Sequence, residues 1–429
     1  MAPEAILIFD VGKTNKKLLV FDARYQLLAE ESVHLAETVD EDGFPCENVA
    51  ALTQWIRESF QKISNRKDFS IRAVNFSAYG ASFVCVDEDI RPVMALSNYL
   101  KPYPTKLQEE LYERYGGKSL FSKICASPPL GSLNAGLQLY RLRQEKPGML
   151  RKVRWALHLP QYVSSILSGK AYSEMTSIGC HTCLWDFPKQ KYHQWVSDNG
   201  LESILAPIVP YDTVDSTDID KKEFLIGVGM HDSSAALLPY LATISEPFIL
   251  LSTGTWNICL NPFNQTPLTE GELNQDCLCY LSFEGKRVKA SRVFAGHEHG
   301  AKVKELCTKF NIDENFFLSL ELDIHGNLNS RESAAIAYLD FMKELVNKQV
   351  VALGLVRGPE KIHRIFVDGG FSKNGIFMTL LAQRYPLSQV FAASIPQASA
   401  LGAALAIHRH WNSELIPENM INLRKVNIK

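Results

Sequence analysis

Leu225 to Leu238 reads LIGVGMHDSSAALL, an apolar strand-like run that stops at Gly229 and gives way to small helix-forming residues after Asp232. Asp232 therefore falls at a strand-to-helix junction. An Asp followed by Ser233 and Ser234 suits a helix N-cap, where unpaired backbone N–H groups and the helix dipole favour the ionised carboxylate. In a cleft, such a carboxylate can take up a proton. A purely structural N-cap is the alternative, and the neighbouring stretches must decide between them.

Working outward, two other stretches share one pattern. In ILIFDVGKTNKKLLVFD the apolar runs Ile6 to Phe9 and Leu18 to Phe21 flank a polar turn containing Gly12, Thr14 and Asn15, which reads as a β-hairpin. Glycine lets a backbone approach phosphate, the Thr14 hydroxyl and turn N–H groups can donate to it, and Lys16 or Lys17 adds charge. Asp10, at the strand end, could hold magnesium through water. In FILLSTGTWNICLNP an apolar run again enters a turn, Ser252, Thr253, Gly254 and Thr255, and leaves through Trp256 to Leu260. A polar hairpin needs no phosphate to exist. Two of them, one opening each half, suggest a duplicated fold that grips phosphate between its domains.

A third glycine turn follows the strand Ile365 to Val367, at Asp368, Gly369 and Gly370, where adenosine could lie near Asn374. The plain alternative is a strand-to-helix turn that uses glycine for its positive φ. Closer to the N-terminus, SAYGASFVCVDED is a strand broken at Gly80, which marks a bulge or close approach by a ligand, with Tyr79 and Ser82 beside it. Residues 108–205 read as mainly helical. The Pro- and Thr/Asp-rich stretch Ala206 to Asp220 then makes the best boundary, giving domains 1–222 and 223–429.

The chain has 429 residues, long enough for two domains, with 46% hydrophobic and 21% charged residues. A net charge of -2 without a basic block gives no footprint for nucleic acid. No apolar run approaches the roughly 20 residues of a membrane span, and MAPEAILIFD lacks a signal-peptide pattern. Nine cysteines, mostly in apolar surroundings, read as reduced buried thiols, and the expected location is cytoplasmic. His297 and His299 in AGHEHG read as part of a polar loop.

The order of these pieces resembles the FGGY carbohydrate kinases of the actin/hexokinase superfamily. DVGKTN (Asp10 to Asn15) is similar to that family's first phosphate motif, STGTW (Ser252 to Trp256) to its second, and VDGGFSKN (Val367 to Asn374) to its adenosine motif. QASALGAALA after Pro396 is similar to its final ATP-side helix, with Gln397 where Glu is common. The resemblance implies an α/β protein of two ribonuclease-H-like (actin-like ATPase) domains, each with a mixed five-stranded sheet, around a central cleft. The N-terminal domain would bind sugar and the C-terminal domain ATP. Asp232 would be the catalytic base, Asp10 would position Mg²⁺, and Gly12, Thr14, Asn15, Lys16, Ser252, Thr253, Gly254, Thr255, Gly369, Gly370 and Asn374 would hold ATP. Tyr79, Ser82, Asn134 and His231 would surround a ketose, L-rhamnulose or L-fuculose first and xylulose next. Ser82 stands where kinases of deoxyketoses usually carry Asp. A non-catalytic nucleotide-binding regulator on the same fold is the competing class, and the oligomeric state is open, a homodimer included.

Overall fold

The computed structural model describes residues 2–323, 325–359 and 362–427. The chain forms two compact units. In the first, β1 (Glu4–Val11), β2 (Lys16–Asp22) and β3 (Leu27–Val33) make an antiparallel meander. On the other side of β1 lie β4 (Ser70–Ala78), then β6 (Lys222–Gly227), both parallel to it, with β5 (Val214–Ile219) antiparallel on β6. The two-residue β7 (Met230–His231) pairs with the end of β4. Residues 5–9 of β1 are buried on both faces, as a strand flanked by helices on either side requires. One of those helices, α1 (Val49–Ser64), presents Leu52, Ile56, Phe60 and Ile63 at helical spacing to the core. Its start is fixed by Asn48 Oδ1, which accepts from Ala51 N at 3.0 Å, a cap of about 1 kcal/mol. A second, α2 (Leu159–Ser168), packs on the same sheet, and α3 (Asp232–Thr243) follows β7.

The second unit repeats the plan. Here β8 (Phe248–Thr253), β9 (Asn257–Asn261) and β11 (Arg287–Val293) form the meander, while β12 (Arg364–Gly369) and β13 (Gln389–Ser394) run parallel to β8. β10 (Cys277–Leu281) and β14 (Asn422–Lys425) extend the two edges. Helices α4 (Ala295–Phe310), α5 (Ser333–Arg357) and α6 (Gly375–Arg384) belong to this unit. Each unit is thus a mixed sheet with helices, the ribonuclease-H-like arrangement. Each sheet has seven strands rather than the expected five, because β5 and β7 in one and β10 and β14 in the other add to the shared five-strand order.

The compact units do not follow the 222/223 division of the chain. β6 pairs in parallel with β4, so the chain through Thr243 packs with the first unit, and Cys279–Lys286 and Gln397–Glu418 return to it. The returning piece carries α7 (Ala398–Ala406), the small-residue helix expected on the ATP side. It packs instead on α3, β1 and β4 of the first unit. Its small residues permit this: a Cβ on Gly402 would fall 1.8 Å from the Ala235 carbonyl oxygen. His297 and His299 lie in the opening turns of α4 and not in a loop.

Candidate active site

In the first unit, the ends of β1, β4 and β7 deliver side chains to one place. Gly229 makes the turn into β7 at φ +80°, and a side chain there would strike the Pro160 carbonyl at 2.6 Å. Asn75 Oδ1 accepts from Gly229 N at 3.1 Å, and Gln161 Nε2 donates to Gly229 O at 2.8 Å, so both neighbours pin that turn. Asp232 then opens α3, its Oδ1 accepting from Ser233 N at 2.6 Å and Ser233 Oγ at 3.2 Å. Burial pushes its carboxyl up to about 6, against the pull of those two hydrogen bonds. The side chain nevertheless keeps 32% of its surface open, as expected of a group that a small molecule can reach.

Asp10, at the end of β1, accepts from Ser77 Oγ on β4 and from Ser399 Oγ on α7, the latter at 2.9 Å. Burial raises its pKa, the two hydroxyls oppose the rise, and the negative field of Asp232 adds to it. A carboxylate so burdened gains from a cation, part of which Lys17 supplies, and the oxygens of Asp10, Ser77 and Ser399 are of the kind that suits the hard ion Mg²⁺. Ser77 and Ser399 lie inside stretches singled out from the sequence, SAYGASFVCVDED and QASALGAALA, but their role was not legible there because they meet Asp10 from far along the chain.

The turn Gly12 to Asn15 is closed by Gly12 N donating to Asn15 O at 3.0 Å, with Thr14 and Asn15 exposed. Lys16 is not available to a phosphate: it is 1% exposed and its Nζ lies 2.9 Å from Glu47 Oε2. The half-buried cations of this stretch are Lys13 and Lys17, which bond to Glu37 at 2.6 Å and to Gln397 Oε1 at 2.8 Å.

Of the four residues expected around the sugar, three have their polar atoms engaged. Asn134 is fully buried; its Nδ2 donates to Ser127 Oγ and His181 O at 2.9 and 2.8 Å, and its Oδ1 accepts from Leu130 N at 2.7 Å. It braces a loop, with no polar atom left over for a sugar. Tyr79 donates its hydroxyl to Glu47 Oε2 at 3.2 Å, and burial holds its pKa well above the usual value. His231 sits beside Asp232 Oδ1, Ser234 Oγ and Cys180 Sγ at 3.2, 3.2 and 3.1 Å. Burial lowers its pKa to about 4, so at neutral pH its contact with Asp232 is not an ion pair. Ser82 is also buried, but its Oγ lacks a hydrogen-bond partner. Gly80 is required by close approach, since a Cβ there would lie 2.4 Å from Cys180 Sγ and 3.1 Å from the His231 ring.

In the second unit, the strand register sets Ser252 and Thr253 opposite Asp368 and Gly369. Thr253 Oγ1 donates to Asp368 O at 2.5 Å and accepts from Phe371 N at 3.0 Å, so this hydroxyl ties two turns together rather than facing a phosphate. Gly369, at φ +86°, is demanded by the same contact: its Cβ would fall 1.9 Å from Thr253 O. Gly254 and Thr255 remain exposed at the turn. Beside them lies a cavity of about 320 Å³ whose walls include Gly254, Gly296, His299, Phe317, Gly370 and Asn374. Two stretches that the sequence reading assigned to one nucleotide therefore do meet. Asn374 contributes as a wall, since its Oδ1 caps α6 through Phe377 N at 2.9 Å and its Nδ2 donates to the Tyr338 hydroxyl at 2.9 Å. The volume, the apolar walls and the open backbone at Gly254 fit a nucleoside with its phosphates. His299, whose Nε2 lies 2.8 Å from the Tyr338 hydroxyl, was read from sequence only as a polar loop residue. None of the nine cysteines is in a disulfide. Among the described residues, no helix is long and apolar enough to cross a membrane.

Residues 5–205 match the N-terminal domain of the FGGY family of carbohydrate kinases. The chain is 24% identical to a rhamnulokinase of Halalkalibacterium halodurans over 59% of its own length and 55% of the relative's. It therefore spans about half the length of that curated relative. An L-fuculokinase of Haemophilus influenzae is 21% identical over 93% of each chain. The crystal structure of a carbohydrate kinase from Novosphingobium aromaticivorans superposes with a TM-score of 0.80 at 21% identity, covering 99% of this chain and 94% of that one, which establishes the fold. Residues 5–205 thus match the FGGY N-terminal domain, and the repeated sheet plan is the fold that the chain shares along its length with that carbohydrate kinase.

Proposed function

We propose that this protein transfers the γ-phosphoryl group of ATP to a hydroxyl of a ketose, with L-rhamnulose or L-fuculose the leading substrates. The observation that carries the reading is Asp232, a carboxylate raised to about 6 by burial yet still open to a small molecule. Phosphoryl transfer passes through a loose in-line transition state, so the protein must align the hydroxyl, stabilise charge and remove one proton. Asp232 takes that proton. Asp10 would position Mg²⁺, whose charge would offset that of the phosphates, and the turn Gly12 to Asn15 supplies N–H and hydroxyl donors. The second unit holds the nucleotide, with the phosphates against Gly254 and Thr255 and the nucleoside in the cavity of His299 and Gly370. The unpartnered Ser82 Oγ supplies a hydrogen-bonding group for a sugar hydroxyl. The two named relatives support the choice of a deoxyketose.

A panel of ketoses and polyols in a coupled ADP-release assay tests the activity and ranks the sugars. If ATP binds but no member raises ADP release above the sugar-free background, the kinase reading gives way to a nucleotide-binding regulator. Gly254 offers a separate test of the nucleotide site. In the free protein a Cβ at this position meets only Trp256 O, at 3.8 Å, so Gly254→Val is expected to fold normally. It should weaken ATP about tenfold or more by blocking phosphate, with sugar affinity unchanged. Calorimetry showing wild-type nucleotide affinity would remove this turn from the site.

A further inference from the structure

Behind the base lies a buried hydrogen-bonded chain that the reaction as described does not use. Glu174 is fully buried and precedes the short helix Met175–Ile178. Its Oε1 accepts from Thr176 N at 2.9 Å, and its Oε2 accepts from Thr176 Oγ1 at 2.5 Å and Ser177 N at 3.4 Å. Among the described residues, no cation pairs with it. Because the Thr176 proton is directed at Glu174, the lone pairs of Thr176 Oγ1 are free to accept, and His231 N donates to them at 3.0 Å. That backbone N–H belongs to the residue immediately before Asp232.

The same segment is wedged on both sides. A Cβ on Gly179 would lie 2.4 Å from Leu281 Cβ, and one on Gly80 would lie 2.4 Å from Cys180 Sγ. The helix Met175–Ile178 therefore cannot shift without moving its neighbours. Glu174 caps this helix through Thr176 N and Ser177 N, where Ser, Thr, Asp and Asn are the preferred residues, and burial pushes its carboxyl up to about 7.

We propose that Thr176, oriented by Glu174, is a positioning residue that sets the height of the His231–Asp232 backbone and so the distance from Asp232 to the reacting hydroxyl. The inference rests on Asp232 as the base. A displacement of about 1 Å at a reacting group can cost as much as 10²-fold in rate without touching the binding contacts.

The test is Thr176→Val, which keeps the shape and removes the acceptor, beside Thr176→Ser, which restores it. The Val variant is expected to lose about tenfold or more in kcat while KM for sugar and nucleotide stays within about twofold, and the Ser variant to recover most of the rate. Melting temperatures of both variants separate this outcome from unfolding. Should the Val variant fold poorly, Glu174→Gln, in which an amide donor replaces one accepting oxygen, is expected to show the same loss of kcat at constant KM. A Val or Gln variant with wild-type kcat, or a Ser variant as slow as Val, would overturn the proposal. Asp232→Asn, measured in parallel, keeps the two readings apart. If that variant is slow while Thr176→Val is fast, only the positioning role fails; if it is fast, the base itself has been misassigned.

Discussion

Asp232→Asn is expected to lower kcat by about 10²-fold or more while ATP and sugar still bind, the loss typical of removing a general base. The amide is nearly isosteric, and its oxygen can still accept from Ser233 N, so the start of α3 should survive. In the wild type, kcat should fall as pH drops below about 6, since only the ionised carboxylate takes up a proton. The Asn variant should lack that limb. Stability should move the opposite way. The folded pKa lies above the unfolded one, so the folded state binds more protons between the two, and stability falls as pH rises through about 6. The contribution is fully present below about 3.9 and lost above the folded pKa. Asp232→Asn should therefore be more stable than wild type at pH 7 to 8, on the order of 1–2 kcal/mol after allowance for the open part of the side chain, and the advantage should vanish in acid. Urea unfolding at several pH values reads this out. A kcat within a few-fold of wild type would reduce Asp232 to a helix cap.

Gly402→Val is expected to destabilise the first unit by about 3 kcal/mol or more, enough to leave much of the chain unfolded or aggregated on expression. The added Cβ would fall 1.8 Å from Ala235 O and 2.5 Å from its carbonyl carbon. Both are backbone atoms, and no rotamer change relieves the clash. Ala235 lies in the first turn of α3, three residues after Asp232, so α7 would have to move away from the helix that carries the base. Ser399, which donates to Asp10, rides on α7 and would move with it. Even a partly folded variant should therefore lose activity. A melting temperature within a few degrees of wild type would mean that the two helices can separate without cost.

The parts of this protein legible in its sequence are those whose cause is local. Apolar runs broken by polar turns at Gly12 and Gly254 announced both hairpins, and the change from strand to small-residue helix at Asp232 announced the junction. Gly369 was legible as a required glycine, although the strand pairing that requires it was not: its Cβ would meet Thr253 O, more than a hundred residues earlier. The sequence also left the partners of adjacent residues open. Lys16 and Lys17 are equally cationic, but side chains alternate across a strand, and the face that received Lys16 holds Glu47 in a buried pair. Asn134 looked like a sugar ligand until the fold surrounded it with Ser127, Leu130 and His181. Ser77 and Ser399 looked like nothing in particular, yet both hydroxyls converge on Asp10. Local pattern determined the strands, the turns and the strand-to-helix junction at Asp232. Tertiary packing alone decided which polar atoms remain available to a ligand, because a hydrogen bond made within the protein removes a donor or acceptor that sequence still counts as free.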